Sequence, residues 1–308
     1  MQRTLRQDAI RDRQLYFMLA VPIVVIFVFC YVPMWGILMA FQDYNLFKGV
    51  RGSKWVGFEV FTSVFHDKQF WSVLLNTIRI NLLLLLQFPF PLVFALLLNE
   101  MVSARFKRVV QSVSYLPHFM SWVIVYGLAL AFLAPRTGWA NALLRWIGAS
   151  EIPFLTNKGW WLGTFFGVNL WKEVGWGSII YIAAITSIDP ALYEAASIDG
   201  AGRLQRLLKI TIPSIRGTIV IMFLMAIAYM VDIGFEAPYL FGNVFVRDVA
   251  DVLSTYIYDV GVVQARFSYT TAVGLFQSMV NIAILLSADF IARSLGQDGI
   301  LYRTKDPR

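Results

Sequence analysis

Cysteine and histidine are almost missing from this chain of 308 residues, which contains one cysteine, Cys30, and two histidines, His66 and His118. A single cysteine cannot form a disulfide within the chain or supply a cysteine-based metal site. Neither histidine lies in an H-E-x-x-H motif, and the sequence contains no signature of a serine or cysteine nucleophile. We therefore expect no catalytic residue, no metal site and no enzymatic activity.

Charged residues are also scarce, because they make up 15% of the chain, whereas 58% of its residues are hydrophobic and the mean hydropathy is +0.64. This composition excludes a soluble globular protein and is typical of an integral membrane protein. Six apolar runs are long enough to cross a bilayer: residues 15–41, 70–98, 109–133, 159–188, 217–234 and 270–292. The predicted fold is an all-α polytopic membrane protein with about six transmembrane helices.

Of the 26 Lys and Arg residues, Arg79 and Lys172 lie within predicted spans, and the other 24 are divided unequally between the two sides of this predicted bundle. Fifteen lie on the side that holds both termini and residues 189–216, and nine lie on the other side. By the positive-inside rule, the termini and this loop are cytoplasmic. The same excess accounts for the net charge of +7, so we expect no nucleic acid partner. The first apolar run is too long for a cleavable signal peptide and should stay as the first span.

A polar, helix-prone segment, residues 194–213, separates the fourth and fifth apolar runs. Its first half is acidic and rich in alanine, so another surface could approach it closely. Gly200 permits a sharp turn between the halves, and Asp199 or Ser197 is predicted to cap the helix that follows. The second half has an apolar stripe at i, i+3 and i+4, formed by Leu204, Leu207 and Leu208. We predict a helix–turn–helix hairpin that contacts another protein; the alternative is an amphipathic helix that touches only lipid headgroups.

The same segment contains the pattern E-A-A-x-x-D-G-A from Glu194, followed by a large apolar residue at Leu207 and by Pro213. This pattern resembles the EAA loop of bacterial ABC-importer permeases. Leu207 stands where that family usually has Phe, Ile212 where Leu is usual, and Gly202 where Ser or Thr is common. The resemblance implies that the loop couples the chain to an ATPase. The residues assigned to this coupling are Glu194, Ala195, Ala196, Asp199, Gly200, Ala201, Leu204, Leu207 and Leu208.

The resemblance extends over nearly the whole chain. The sequence is similar to permeases that import oligosaccharides at residues 40–45, 55–61, 70–71 and 75–77. It looks closest to permeases for plant or algal polysaccharide fragments, including acidic ones such as alginate or pectin pieces. The family implies a single transmembrane permease domain over residues 1–308, with its coupling loop at 189–216, in the bacterial cytoplasmic membrane.

The family also implies the partners of the chain. They are a second homologous permease subunit, two cytoplasmic ATPase subunits that bind ATP and Mg²⁺, and an extracytoplasmic solute-binding protein. The chain itself has no G-x-x-x-x-G-K-[ST] motif, so we expect it to bind no nucleotide or other cofactor. The external segment 235–269 either contacts the solute-binding protein or is a simple amphipathic connector. The external loops 42–69 and 134–158 are expected to include short helices.

Span four has two different faces. Gly163 and Gly167 form a small-xxx-small pair that is predicted to pack closely on another helix. The opposite face carries four residues at the helical spacing i, i+3, i+4 and i+7. They are Asn169, Lys172, Glu173 and Trp176. An ionised side chain that faces lipid near the midplane costs roughly 2.5 to 3.5 kcal/mol, so the two charged members should face a wet cavity or a partner. The alternative is that the lysine pairs with Asp232 or Glu236 of span five and stabilises the bundle.

Spans five and two add further polar residues to a predicted translocation path. Tyr229, Asp232 and Glu236 share a face of span five at i, i+3 and i+7, although the two acids interrupt its apolar run. Asn76 and Arg79 belong to span two, and the arginine either lines the entrance or snorkels to the interface.

Aromatic rings near this path suit a sugar, because rings stack on its C–H faces while amides and carboxylates bind its hydroxyls. These rings belong to Trp171, Trp176, Tyr181, Tyr229 and Tyr239. Lys172 and Arg79 favour an anionic sugar, whereas the acidic side chains on the path oppose one. We predict a path for an oligosaccharide. The alternative function is an ion-coupled secondary carrier or channel that uses the charged residues of the path and needs no ATPase.

Overall fold

The computed structural model describes residues 13–228 and 230–294, and it is almost entirely helical. The all-α class is therefore confirmed. The chain divides into two compact units, of which the first comprises Met1–Asp67 with Asp259–Phe276, and the second comprises Lys68–Tyr258 with Gln277–Arg308. The single permease domain over residues 1–308 stays a prediction.

The first unit begins with the first predicted span. Helix α1, Arg13–Ile26, continues into a π-helical turn, Phe27–Tyr31, and then into a 3₁₀ segment, Val32–Phe41. Together they form an apolar segment of 29 residues, which is long enough to cross a membrane. Every side chain from position 13 to position 35 is exposed. An apolar segment whose side chains are exposed in this way is suited to contact with lipid tails or with another membrane subunit.

A short hairpin follows the first span. Strand β1, Gln42–Asp43, pairs antiparallel with strand β2, Lys54–Trp55, and helix α2, Gly49–Gly52, lies between them in the chain. Helix α3, Glu59–His66, ends this part of the first unit. The two helices confirm the prediction of short helices within residues 42–69.

The second unit begins with two predicted spans that are both interrupted. Helices α4, Lys68–Leu85, and α5, Pro89–Asn99, together form a 32-residue span. Helices α6, Ala104–Tyr115, and α7, Trp122–Leu133, meet at an angle of 107° across a 3₁₀ turn, Leu116–Phe119. The turn contains a proline, which has no N–H to continue the helical ladder. The bend therefore leaves carbonyl groups that need other donors.

Helix α8, Trp139–Trp146, confirms a short helix within residues 134–158. The long helix α9, Lys158–Thr186, forms the fourth span, and Asn157 caps its first turn by accepting hydrogen bonds from the next backbone N–H groups. Helix α10, Pro190–Ile198, leaves α9 at an angle of 70°.

The chain then turns back toward the fifth span. Helix α11, Arg203–Arg206, runs into a π-helical turn, Leu207–Thr211, and into helix α12, Ile212–Ser214. Helix α13, Arg216–Ala228, follows at an angle of 64°.

The fifth span is shorter than the sequence predicted. Helix α13 ends at Ala228, and Gly234 has a φ of +74°, a left-handed conformation that no α-helix contains. Helix α14, Glu236–Phe241, starts only after this irregular segment. The prediction that Asp232 and Glu236 continue one helical face is therefore wrong. Its third member, Tyr229, lies outside the described residues.

The remaining helices are α15, Arg247–Ala250, α16, Leu253–Tyr258, and α17, Phe267–Ser294, with a π-helical turn at Asp259–Val263. Within residues 13–228 and 230–294, three helical segments are long and apolar enough to cross a membrane, or up to six if each bent pair is counted as one span. The prediction of a polytopic membrane protein with about six spans is thus confirmed.

Close packing on α9 occurs at other glycines than those predicted. An ideal Cβ at Gly175 would lie 2.0 Å from the carbonyl oxygen of Ser114 in α6, and one at Gly177 would lie 3.1 Å from Pro91 in α5. A Cβ at Gly163 or Gly167 would meet nothing within 4 Å. The prediction of close packing at Gly163 and Gly167 is therefore wrong within this chain. The helices approach one turn or more further along α9, where the 3₁₀ turn brings α6 against it.

Candidate functional site

The segment predicted to couple the chain to an ATPase forms a folded hairpin, which we call the coupling hairpin, residues 189–214. The Asp189 carboxylate caps α10 by accepting a hydrogen bond of 2.9 Å from the N–H of Ala191. Gly200 has a φ of +77°, and the N–H of Ala201 donates to the carbonyl of Ala196 at 2.8 Å, so α10 ends in a left-handed cap. The prediction that Gly200 makes the turn is confirmed.

Side-chain hydrogen bonds join the two arms of the coupling hairpin. The Arg206 guanidinium donates to Ser197 Oγ at 2.8 Å, and this hydroxyl donates to the carbonyl of Tyr193 at 2.7 Å. The Tyr193 hydroxyl lies 2.9 Å from Thr211 Oγ1, which is buried. These bonds hold the two arms together as one unit.

The predicted cap of the second arm is wrong. Gly202 precedes α11, and its N–H donates to Gln205 Oε1 at 3.1 Å. Asp199 instead follows the last residue of α10, and Ser197 bonds within the hairpin as described. Gly200 and Ala201 form the left-handed turn after Asp199, so the residue that directly precedes the next helix is Gly202.

The predicted leucine stripe is divided between two surfaces. Leu204 and Leu208 are 68% and 54% exposed, whereas Leu207 packs against the buried residues Ile185 and Ile215. The π-helical turn that begins at Leu207 adds a residue to the turn, so the i, i+3, i+4 spacing of a regular α-helix no longer applies. Glu194 and Ala195 are exposed, and Ala196 and Ala201 are half-buried. The outward face therefore combines an acidic, small-residue arm with two leucines.

Lys172 does not face a cavity or span five. Its ammonium is buried and donates to the backbone carbonyls of Pro117 at 3.2 Å, His118 at 2.6 Å and Met120 at 3.0 Å. An ammonium has three N–H donors, so these bonds use all of them. The Pro117 carbonyl also accepts from the N–H of Met120 at 3.1 Å, so at the bend the ammonium mainly satisfies the carbonyls of His118 and Met120. Backbone groups in a membrane must be satisfied within the protein.

The two acids expected to pair with Lys172 are placed elsewhere. Asp232 is exposed, and its carboxylate accepts from the N–H of Gly234 at 3.0 Å. Glu236 is exposed at the start of α14. The alternative of a Lys172 ion pair with span five is wrong, and Lys172 is not available to a solute in this conformation.

Glu173 and Trp176, the next predicted path residues on α9, form a cluster with His118, which the path prediction did not include. His118 Nδ1 lies 2.8 Å from Glu173 Oε2, and Lys172 Nζ lies 3.9 Å from Glu173 Oε1. The imidazole is parallel to the Trp176 indole, with 4.4 Å between ring centroids and 1° between planes. The ring of Phe119 meets the indole edge-on at 5.4 Å. A rare histidine next to a proline in an apolar run was the only sequence signal for this role.

This cluster opens into a continuous cleft, which we call the slot, between α4–α5, α9 and α13. Two cavities of about 220 and 280 Å³ share the residues Phe88, Pro91, Gly177 and Ala226. Glu173, Trp176 and Gln87 line one end of the slot, and Tyr181 and Met222 line the other. The Tyr181 hydroxyl is buried and has no hydrogen-bond partner among the described residues. The slot is polar at the end that Gln87 and Glu173 line and apolar at the end that Met222 lines.

The other predicted path residues lie outside the slot. Asn169 donates to the carbonyl of Phe165 in its own helix at 2.9 Å, and Arg79 is exposed. Tyr239 stacks on Phe235 with 4.8 Å between ring centroids. Tyr229 lies outside the described residues.

Asn76 belongs to a second, polar cleft of about 430 Å³. Its amide donates to the carbonyls of Asp248 at 2.8 Å and Asp251 at 3.2 Å. The cleft is also lined by Lys158, which pairs with the Asp248 carboxylate, and by Arg247. The predicted path residues are thus divided between the slot and this polar cleft.

Comparison with known proteins identifies the family. Residues 87–297 match the family described as binding-protein-dependent transport system inner membrane component. The polygalacturonan/rhamnogalacturonan transport system permease protein YteP of Bacillus subtilis (strain 168) is 43% identical over 292 residues, which cover 94% of this chain and 91% of that protein. Protein LplB of the same organism is 42% identical over 291 residues, covering 94% and 92% of the two chains.

A solved structure has the same fold. In the crystal structure of a bacterial alginate ABC transporter in complex with an alginate pentasaccharide-bound periplasmic protein, one chain superposes with a TM-score of 0.87 at 40% identity. The match covers 96% of this chain and 99% of that one. The resemblance inferred from the EAA pattern is confirmed at the level of the family. The chain belongs to the inner-membrane components of binding-protein-dependent transport systems, the permeases of ABC transporters.

Proposed function

We propose that this chain forms one half of the translocation path of an ATP-driven importer for acidic oligosaccharides, and that a second homologous permease forms the other half. The observation that carries the proposal is the slot between α4–α5, α9 and α13, in a chain of this family. Relatives at 43% and 40% identity, over more than nine tenths of the chain, are named for polygalacturonan/rhamnogalacturonan and for alginate. Both names describe polymers that contain uronic acids.

The chemistry of the slot suits a sugar. Trp176 supplies an aromatic ring for a C–H face of the sugar, and the Glu173 carboxylate can bond its hydroxyl groups. The other end of the slot is apolar, so a sugar that moves away from Glu173 would leave its polar contacts behind.

The coupling hairpin is proposed to dock into a cytoplasmic ATPase subunit. Its outward face presents Glu194 to a basic group and Leu204 and Leu208 to an apolar recess. Two ATPase subunits would bind ATP and Mg²⁺, and this chain would bind no cofactor of its own. Because the hairpin is joined to α9 and α13 at angles of 70° and 64°, movement of the docked hairpin would move both walls of the slot.

The other partners and the orientation follow the same scheme. The chain would lie in the bacterial cytoplasmic membrane with both termini in the cytoplasm, and residues 1–308 would act as one permease domain. The polar cleft around Asn76 and Lys158 would then face the extracytoplasmic solute-binding protein. The charged residues of this cleft are on the side opposite the coupling hairpin in the topology that the positive-inside rule predicts.

Site-directed cross-linking tests the docking. Cys30 is the only cysteine, so a Cys30→Ala background allows one new thiol to be placed at a time. Leu204→Cys puts a thiol on the outward face, and Leu207→Cys puts one against the core of the same chain. In membranes that contain the whole transporter, we expect the first variant to be captured by an ATPase subunit and the second to be captured much less. Equal capture, or none from position 204, would refute the proposed docking.

The alternative of an ion-coupled carrier is less well supported. Such a carrier was predicted to use Lys172 together with the acidic residues, but the ammonium of Lys172 is held by three carbonyls, and Asp232 and Glu236 do not line the slot. Vesicles that contain the permeases without ATPase subunits distinguish the two functions. Sugar uptake driven by an ion gradient in those vesicles would favour the carrier.

A further inference from the structure

We propose that His118 sets the charge preference of the slot, because it offsets the carboxylate of Glu173 and so allows an anionic sugar to approach Trp176. The proposal rests on the proposed function and identifies a specificity-determining residue within it. His118 itself would act on the sugar through its two neighbours, Glu173 and Trp176, which line the slot.

The first step of the argument is the charge at the slot. Glu173 is the one ionisable carboxylate among the described residues that line its two cavities, and its side chain is 43% exposed. Its negative charge repels the carboxylate of a uronic acid, and the apolar side chains beside it screen the two charges less than bulk water does. A sugar of the kind proposed therefore requires a compensating group beside Glu173.

The second step is that His118 supplies this group. Its Nδ1 lies 2.8 Å from Glu173 Oε2, and a carboxylate can only accept, so Nδ1 carries the proton. Lys172 contributes less to the carboxylate, because its Nζ is 3.9 Å from Glu173 Oε1 and its N–H groups are directed to three carbonyls. Among the described residues of α9 and of the preceding 3₁₀ turn, His118 and Lys172 are the side chains that lie against this carboxylate.

The third step concerns the aromatic ring. The imidazole lies parallel to the Trp176 indole at 4.4 Å, and Phe119 meets the same indole edge-on. Both contacts fix the indole plane, while the indole side chain remains 42% exposed. One histidine thus holds the stacking surface and the carboxylate in a fixed relation, and a sugar ring on the indole comes close to Glu173.

A matched pair of sugars tests the charge preference directly. The probes are trigalacturonate and its fully methyl-esterified form, which has the same skeleton without the negative charges. Their binding is measured on the detergent-purified complex of both permeases and both ATPases. The solute-binding protein is left out, so that any preference between the two sugars comes from the membrane site. The variants are His118→Phe, which keeps a ring but loses the donor, Glu173→Gln, and the two combined.

We expect His118→Phe to weaken binding of the acid by about tenfold or more relative to the ester, because Glu173 then repels the acid without compensation. Adding Glu173→Gln to His118→Phe should bring the ratio of the two dissociation constants, acid over ester, back toward the wild-type value. A structural role alone would weaken both sugars equally. Should His118→Phe fail to assemble, His118→Leu also removes the donor, with less bulk, and should shift the preference for the ester over the acid in the same direction.

Three results overturn the inference. Equal weakening of acid and ester by His118→Phe, or a ratio that Glu173→Gln does not restore, would remove the role of His118 while leaving the proposed function intact. Failure of the wild-type complex to bind either sugar would instead overturn the proposed function, and the inference with it.

Discussion

The packing of α9 on α6 gives a sharp prediction for Gly175→Ala. The new Cβ would lie 2.0 Å from the Ser114 carbonyl oxygen and 2.5 Å from its carbonyl carbon. Real Cβ contacts essentially never fall under 3.0 Å, and both atoms belong to the backbone, so the two helices must part by about 1 Å. Overpacking of this kind costs about 1 to 3 kcal/mol, and a backbone neighbour that cannot rotate away places the cost near the upper end.

Gly163→Ala on the same helix is the matched control. A Cβ at Gly163 meets nothing within 4 Å, so the substitution brings only the higher helix propensity of alanine, up to about 1 kcal/mol. Gly175→Ala gains the same propensity, which leaves a net destabilisation of about 2 kcal/mol. That loss corresponds to roughly a thirtyfold change in the unfolding equilibrium.

Thermal unfolding of the two purified variants in the same detergent, followed by tryptophan fluorescence, measures the difference. We expect Gly175→Ala to unfold at a clearly lower temperature than the wild-type chain, and Gly163→Ala at the same temperature or slightly higher. If Gly175→Ala were as stable as Gly163→Ala, the close approach of α6 and α9 at this glycine would be refuted.

Two further predictions follow from the same structure. Lys172→Met leaves the carbonyls of His118 and Met120 without the ammonium donor, each costing about 1 to 3 kcal/mol, while the Pro117 carbonyl keeps the N–H of Met120. The yield and melting temperature of this variant should therefore fall well below those of Lys172→Arg, and equal values would contradict the carbonyl contacts. Gly200→Ala forces an L-residue into a φ of +77° at about 1 to 2 kcal/mol, whereas Gly202→Ala enters a φ of −68° without strain. Sugar-stimulated ATP hydrolysis by the whole transporter should therefore decrease in the first variant with membrane insertion retained, and the second variant should match the wild type.

Features that depend on short stretches of sequence were predicted well. The apolar runs gave the membrane class and the number of spans, because each run alone determines whether it can cross a bilayer. The turn at Gly200 followed from local backbone chemistry, since glycine accepts a positive φ without strain. The EAA pattern identified the family for a similar reason, because its residues are close together in the chain.

Features that depend on contacts between distant segments were not predicted. The helical-face argument assumed unbroken helices, but α13 ends at Ala228, and the π-helical turn at Leu207 changes the spacing of the leucine stripe. Lys172 was assigned to the path because an intramembrane charge suggests function, and its carbonyl partners were produced by a bend in another helix. His118 was overlooked because only the folded chain brings it to Glu173.

The carbonyl partners of Lys172 also bear on how the chain enters the membrane during synthesis. They precede the lysine by 52 to 55 positions, so the ribosome has released them before the lysine emerges. If the bend between α6 and α7 forms in the bilayer before α9 is inserted, the ammonium of α9 meets carbonyl acceptors there and no charge has to meet lipid. The order of biogenesis thus follows the order of the chain, and a circular permutation that delivered α9 first would expose that charge to the hydrocarbon.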